Sequence, residues 1–170
     1  KNNLVIYTSL IGSKEGELNI QPVFKNSEFK KICFTDNKNL KSEDWELKYV
    51  DKLLPEDNHR SQRNFKLRPH LFLPEFRYSL YLDNTVVLKK DINQFIEFIS
   101  SSFEKEIKRN LVYMPFHSFR MTILDEFNAV ALNNLDDQIK FYEQLRDYSK
   151  VSKDDLEKRP FWPAIILREH

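Results

Sequence analysis

Two glycines and one cysteine are all that 170 residues contain of either type. So little glycine excludes a collagen-like chain, a glycine-rich linker and the loops that wrap phosphates in backbone amides. Neither GxGxxG nor GxxxxGK[ST] occurs, which argues against a Rossmann dehydrogenase or a P-loop nucleotidase. The lone Cys33 excludes a disulfide framework within the chain and any paired-thiol metal or redox motif. Its setting, KICFTD, is that of a small buried hydrophobe whose apolar neighbours keep the thiol protonated. Long apolar runs are missing too: none approaches the roughly 18–20 residues that span a bilayer, and no signal peptide is visible. Charge of one sign is also lacking. Lys and Arg number 27 against 26 Asp and Glu, a net +1, so the basic excess typical of a nucleic-acid binder is not there. The GxSxG elbow and the HExxH zinc motif are absent as well.

Apolar and aromatic residues are plentiful. Hydrophobic residues make up 41% of the chain, with 14 Phe and 7 Tyr, enough for a globular core. The runs NLVIYTS, KKICFTD, YSLYLD and LVYMP are β-branched or aromatic and nearly continuous, the pattern of strands covered on both faces. WELKYVD alternates and reads as an edge strand. Between them lie helical patterns. Asp91 can cap INQFIEFISSSF, which places Ile92, Phe95, Ile96 and Ile99 on one face. Ser118 to Leu132 reads as a helix with Ile123, Phe127 and Val130 inward, and Asp136 to Tyr148 as another. VSKDDLEKRPFWP reads as a polar, Pro-bounded loop suited to a mobile flap. Strands alternating with helices predict one α/β domain over residues 1–170, with a mostly parallel sheet. Lys1 stands almost inside the first strand and His170 just after a strand-like run. The expectation is therefore a piece of a longer polypeptide, continuing past its C-terminus, either cytoplasmic or membrane-associated through a segment outside it.

In open parallel sheets ligands bind beyond the carboxyl ends of the strands. Polar residues stand at three predicted strand ends: Tyr7-Thr8-Ser9, Thr35-Asp36 and Asp83-Asn84. A carboxylate fixed by a rigid strand suits a hard divalent cation, which makes Asp83 the leading candidate to hold one; Asp-Asn is also good turn chemistry. HRSQRNFKLRPH carries Arg60, Arg63, Lys66 and Arg68 with no acid among them, and Phe65, Leu67, Leu71 and Phe72 tie the segment to the body. Arg60, Arg63 and Lys66 share a drifting helical stripe that could neutralise a diphosphate, or could simply be a solvated basic face. Pro69 should bend or end that helix. FHSFRMTILDEF brings His117 and Arg120 ahead of Asp125 and Glu126; a carboxylate there is a candidate base or stabiliser of a cationic sugar-like transition state, or a plain surface charge. His170 could complete a metal sphere around Asp83.

In order, YTSLIG, FTD, W-x-L at Trp45, R-x-x-R-x-x-K-x-x-x-H, YLDNTV, H-x-x-R with a following acid, and R-x-H make the chain, over nearly its whole length, resemble the TOD/MUCI-type glycosyltransferase-like domain family. The resemblance implies a GT-A-type, three-layer nucleotide-sugar fold. It implies that Tyr7 to Gly12, including Tyr7 and Thr8, hold the nucleoside and that Asp36 meets base or ribose. Arg60, Arg63 and Lys66 would face the donor diphosphate. Asp83, with Asn84 beside it, would begin a DxD-like motif binding Mn²⁺ or Mg²⁺, and His117 with Arg120 would match the H-x-x-R, followed by Glu126. His70 matches a histidine of the family. The implied partners are a UDP- or GDP-linked sugar and a carbohydrate or glycoconjugate acceptor. Two departures stand out: Thr85 takes the third DxD position, and the Trp-containing helix and S-x-R-D-Q-like block that follow R-x-H in the family are not in this sequence. The alternatives are a non-catalytic nucleotide-sugar or polyanion-binding module, a lipid-amide hydrolase on the same scaffold, and a purely structural α/β domain.

Overall fold

A computed structural model describes residues 3–12, 18–103, 112–151 and 153–170. The chain divides into two compact units, Lys1–Tyr113 with Ala164–His170, and Met114–Pro163. The first unit holds the sheet. Its strands are β1 (Leu4–Leu10), β2 (Lys30–Thr35), β3 (Glu46–Tyr49), β4 (Tyr78–Leu82), β5 (Val112–Tyr113) and β6 (Ile165–Glu169), in the spatial order β3-β2-β1-β4-β6-β5. The helices α1 (Asn58–Leu67), α2 (Pro69–Phe72) and α3 (Ile92–Phe103) belong to the same unit.

The pairings β3–β2, β2–β1 and β1–β4 are parallel, whereas β6 runs antiparallel to both β4 and β5. The sheet is thus mixed rather than mostly parallel. The cause is the terminal strand: β6 enters between β4 and β5 and runs the other way, with Leu82 opposite Ile165 and Tyr78 opposite Glu169.

Every residue of β1 is buried, as its unbroken apolar run predicts for a strand covered on both faces. β2 and β4 are buried along most of their length. The alternating WELKYVD forms β3 at the sheet edge. LVYMP supplies only the short β5, half-exposed because it pairs on one side alone; Leu111 lies outside the described residues.

α1 is the crossover between β3 and β4 and buries Ser61 and Phe65. Phe65 stacks on Phe34 of β2 with ring centroids 5.1 Å apart, and Phe72 of α2 meets both rings. Pro69 ends one helix and opens the next at a first-turn position, where its missing N–H costs nothing. Asp91 starts α3 by accepting the Asn93 N–H at 2.7 Å, and Ile92, Phe95 and Ile96 form its covered stripe; the Ile99 side chain lies outside the described residues.

The second unit contains α4 (Ile123–Leu132), α5 (Gln138–Val151) and α6 (Lys153–Leu156). Phe127, Phe141 and Leu156 form its core, with Ile123, Val130, Ala131 and Leu145 packed around them. α4 begins five residues later than the Ser118 start expected from periodicity, because Thr122 and Asp125 close a capping box there. The stretch expected as a mobile flap contains α6, anchors Leu156 in this core, and pairs Phe161 with Phe116.

Ile166 is only 1% exposed and sits opposite Tyr81 in the reversed strand. Ile166→Ala should cost about 2–5 kcal/mol in urea denaturation. A loss well under 1 kcal/mol would mean that β6 is not part of the core.

Candidate functional site at the carboxyl edge of the sheet

β1 is flanked by β2 and β4, and the chain leaves β1 toward β2 and β3 before returning on the other side as β4. That reversal makes a topological switch point, and the crevice beyond the carboxyl ends of β1 and β4 is the place where open sheets take ligands. Four local devices shape it.

The loop after β1 is held by Asp36 and α1. Gly12 adopts φ +67, donates its N–H to Asp36 Oδ1 at 2.8 Å and accepts from Asn58 Nδ2 at 3.4 Å. A Cβ at this position would lie 2.0 Å from the Asn58 Cγ. Asp36 Oδ2 also meets Lys52 Nζ at 3.5 Å. Beside it, a cavity of about 420 Å³ at the tips of β2 and β3 is lined by Asp36, Lys38, Tyr49, Val50, Asp51 and Lys52.

At the tip of β4, Asp83 is a turn residue: its carbonyl accepts the Val86 N–H at 2.9 Å, and Oδ1 lies 3.5 Å from both the N and Oγ1 of Thr85. It has a second partner. Asp83 Oδ2 stands 3.6 Å from Lys66 Nζ, with the two side chains 28% and 15% exposed, so both can still be reached from solvent. The Lys66 ammonium also lies 4.9 Å from the Tyr81 ring centroid. Burial pulls its pKa down, Asp83 opposes this, and the charges of Arg63 and Arg168 push it down further. Burial and the neighbouring Asp83 charge hold the Tyr81 phenol well above its ordinary value.

The end of α1 is clamped from the sheet. Tyr7 donates its hydroxyl to the Lys66 carbonyl at 3.0 Å, and Arg168 Nη1 donates to the Leu67 carbonyl at 2.8 Å, serving two carbonyls that a helix end leaves without partners. Ser9 donates to the Gln62 carbonyl at 3.5 Å.

Finally, Gln21 and Asn84 strap the segment after β4. Gln21, 2% exposed, donates to the Val86 carbonyl and accepts from the Leu88 N–H, and Asn84 accepts from Asn19. No composition signal marks Gln21, and Arg168 was legible only as the arginine of the R-x-H block.

Several expected roles are corrected. Tyr7 and Thr8 are buried in β1, where neither can meet a nucleoside; Tyr7 is a helix clamp. Arg60 turns to the α1 cap, its Nε 3.4 Å from Asp57 Oδ2, while Arg63 is exposed and Lys66 faces Asp83, so the stripe does not act as one surface. His170 cannot join Asp83. Its Nε2 lies 2.7 Å from Ser79 Oγ near the start of β4, four residues from Asp83, which is about 13 Å along a strand. The antiparallel course of β6 puts its end there. Burial and the charges of His70 and Arg168 hold the His170 pKa below its ordinary value. A Ser–His pair at this distance suggests a hydrolase nucleophile, yet Ser79 has no exposed surface and cannot meet a substrate.

In the second unit, the His117 Nδ1 accepts from the N–H groups of Phe119 and Arg120 at 3.4 and 3.2 Å, shaping the turn before α4. Glu126 Oε2 pairs with Arg120 Nε at 3.1 Å and lies 3.9 Å from His117 Nε2. Asp125 is a cap rather than a base: its Oδ2 accepts the N–H groups of Thr122 and Met121 at 2.8 and 3.1 Å, and these bonds lower its pKa. The same unit contains an apolar cavity of about 920 Å³ bounded by Phe116, Ile123, Tyr148, Leu156 and Phe161.

The residues around Asp83 do not fit the expected Mn²⁺ or Mg²⁺. Asp83 offers a single carboxylate already facing an ammonium, Thr85 contributes a neutral hydroxyl, and no group of three or more His, Cys, Asp or Glu side chains able to hold a metal occurs among the described residues. Comparisons with protein-family models, with curated proteins and with solved structures find no match. No helix among the described residues is long and apolar enough to cross a membrane.

Gly12→Ala should destabilise the fold by about 1–2 kcal/mol through the left-handed φ alone. Asn58→Ala in the same chain relieves the clash but not that strain, so denaturant titration of single and double variants should show only partial recovery; full recovery would refute the backbone argument. For Asp125 the folded pKa is depressed. Its stabilising effect is therefore complete above the unfolded pKa near 3.9 and is lost as pH falls through the folded value. The melting-temperature advantage of wild type over Asp125→Asn should be present at pH 6 and shrink on acidification below about pH 4.

Proposed function

We propose that the chain binds a nucleoside-diphosphate sugar, UDP- or GDP-linked, over the carboxyl edge of β1, β2 and β4, and transfers the sugar to a carbohydrate or glycoconjugate acceptor. The observation that carries this reading is the Lys66–Asp83 pair at the switch point, with the charges of Arg63 and Arg168 close enough to depress the Lys66 pKa. This is a local excess of positive charge in a protein of net charge +1. Diphosphate oxygens suit such a place, since a charge-assisted bond to an ammonium or guanidinium is stronger than a neutral one. The 420 Å³ cavity at the tips of β2 and β3, across β1 from this pair, offers the half-exposed Tyr49 for a base and Asp36 and Asp51 for hydroxyls. A GT-A-type domain is the fold that accompanies this proposal; the parallel order β3-β2-β1-β4 and the crossover helix supplying Lys66 support it.

In transfer, negative charge grows on the departing diphosphate, and preorganised cations at that edge stabilise it more in the transition state than before. No acid–base role goes to Asp125, which caps α4, or to Glu126, which pairs with Arg120. That both of these carboxylates are engaged elsewhere favours a second reading, a nucleotide-sugar-binding module without turnover.

UDP, GDP and their sugars should raise the melting temperature of the whole chain. At ligand a hundredfold above Kd the stabilisation is about 2.7 kcal/mol, or about 5–10 °C for a chain of this size. No shift with any of them overturns the proposal. A shift without nucleotide release in the presence of acceptor glycans selects the binding module.

A further inference from the structure

We infer that Lys66 takes the place of a divalent cation at this site, so that the diphosphate is bound by the ammonium released from Asp83 and needs no metal. The inference rests on the nucleotide-sugar reading above and names the group that meets the phosphates. Four observations point the same way.

A carboxylate that is to ligate a metal must present its oxygens, and here Oδ2 of Asp83 lies 3.6 Å from the Lys66 ammonium while Oδ1 faces Thr85. The position where a second acid would share the ion holds Thr85. The histidine that might substitute is at the other end of β4, on Ser79. And the ammonium is built in rather than incidental. It projects from the last turn of a helix whose carbonyls are fixed by Tyr7 and Arg168, and it lies over the Tyr81 ring in a largely covered position.

Asp83 then has a positioning role. It faces Lys66 at 3.6 Å and opposes the lowering of its pKa by burial and by the charges of Arg63 and Arg168. An arriving diphosphate offers the ammonium several anionic oxygens in place of one carboxylate. Asp83 gives up an ion pair but remains in its turn with Val86 and Thr85. A divalent cation would have to displace Lys66 from Asp83 first.

The test is isothermal titration of the full chain with UDP, and with inorganic pyrophosphate, in EDTA and in Mn²⁺. Affinity should agree within about threefold between the two buffers. Lys66→Gln should weaken UDP binding about 10–100-fold in both, the worth of a charge-assisted hydrogen bond. Asp83→Asn, which keeps a turn-forming side chain but no charge to steady the ammonium, should weaken UDP binding less than Lys66→Gln does, and to the same extent in both buffers. Binding that requires Mn²⁺ and disappears in Asp83→Asn overturns this inference and leaves the nucleotide-sugar reading standing. Binding of neither ligand in either buffer removes both.

Discussion

A buried phenol in the middle of a sheet is stabilised by an acceptor, and for Tyr7 that acceptor is the carbonyl of Lys66. Much of the carboxyl edge follows from this one bond. It joins the central strand to the last turn of α1, where carbonyls would otherwise lack partners, and Arg168 of β6 secures the next one. With the helix end held from two strands, the Lys66 ammonium lies over the Tyr81 ring and 3.6 Å from Asp83. At the other end of the helix, Asn58 grips Gly12, and Ser61 exchanges bonds with Leu54 in both directions. The crossover helix is therefore pinned at both ends by polar groups and along its length by Phe65 on Phe34.

The chemistry of the edge is that of an ammonium and a carboxylate that hold each other in readiness. Burial lowers the Lys66 pKa; the aspartate counters that, and both side chains keep some contact with solvent. In the proposed binding mode this pair opens toward the diphosphate. The acidic groups of the second unit have other work. Asp125 terminates a helix, and Glu126 with Arg120 and His117 shapes the turn that precedes it.

How much of this could be read beforehand depends on the range of the interaction. Continuous apolar runs announced β1, β2 and β4, and alternation announced β3, because burial on two faces or one leaves a local imprint. Asp91 and Pro69 acted as their chemistry requires. Misreadings arose where a residue's partner is far away in the chain. Tyr7 looked like the mouth of a site, since nothing near it in the chain reveals a helix carbonyl 59 residues on. His170 looked like a ligand because the direction of β6 is not written in ILREH. Asp125 looked like a base because its capping box competes with an apparent earlier helix start at Ser118.

The sequence by itself determined the α/β class, the strands β1 to β4, the polar tips at Asp36 and Asp83, and the cationic segment before β4. These rest on periodicity, propensity and composition, which act within a few residues. Only the tertiary structure decided that β6 runs backward, that the three basic residues of α1 part company, and that one of them meets Asp83. Those outcomes depend on which buried donors and acceptors find each other across the fold, and the partner of a buried polar group is whatever the packing brings within about 3 Å, wherever it lies in the chain.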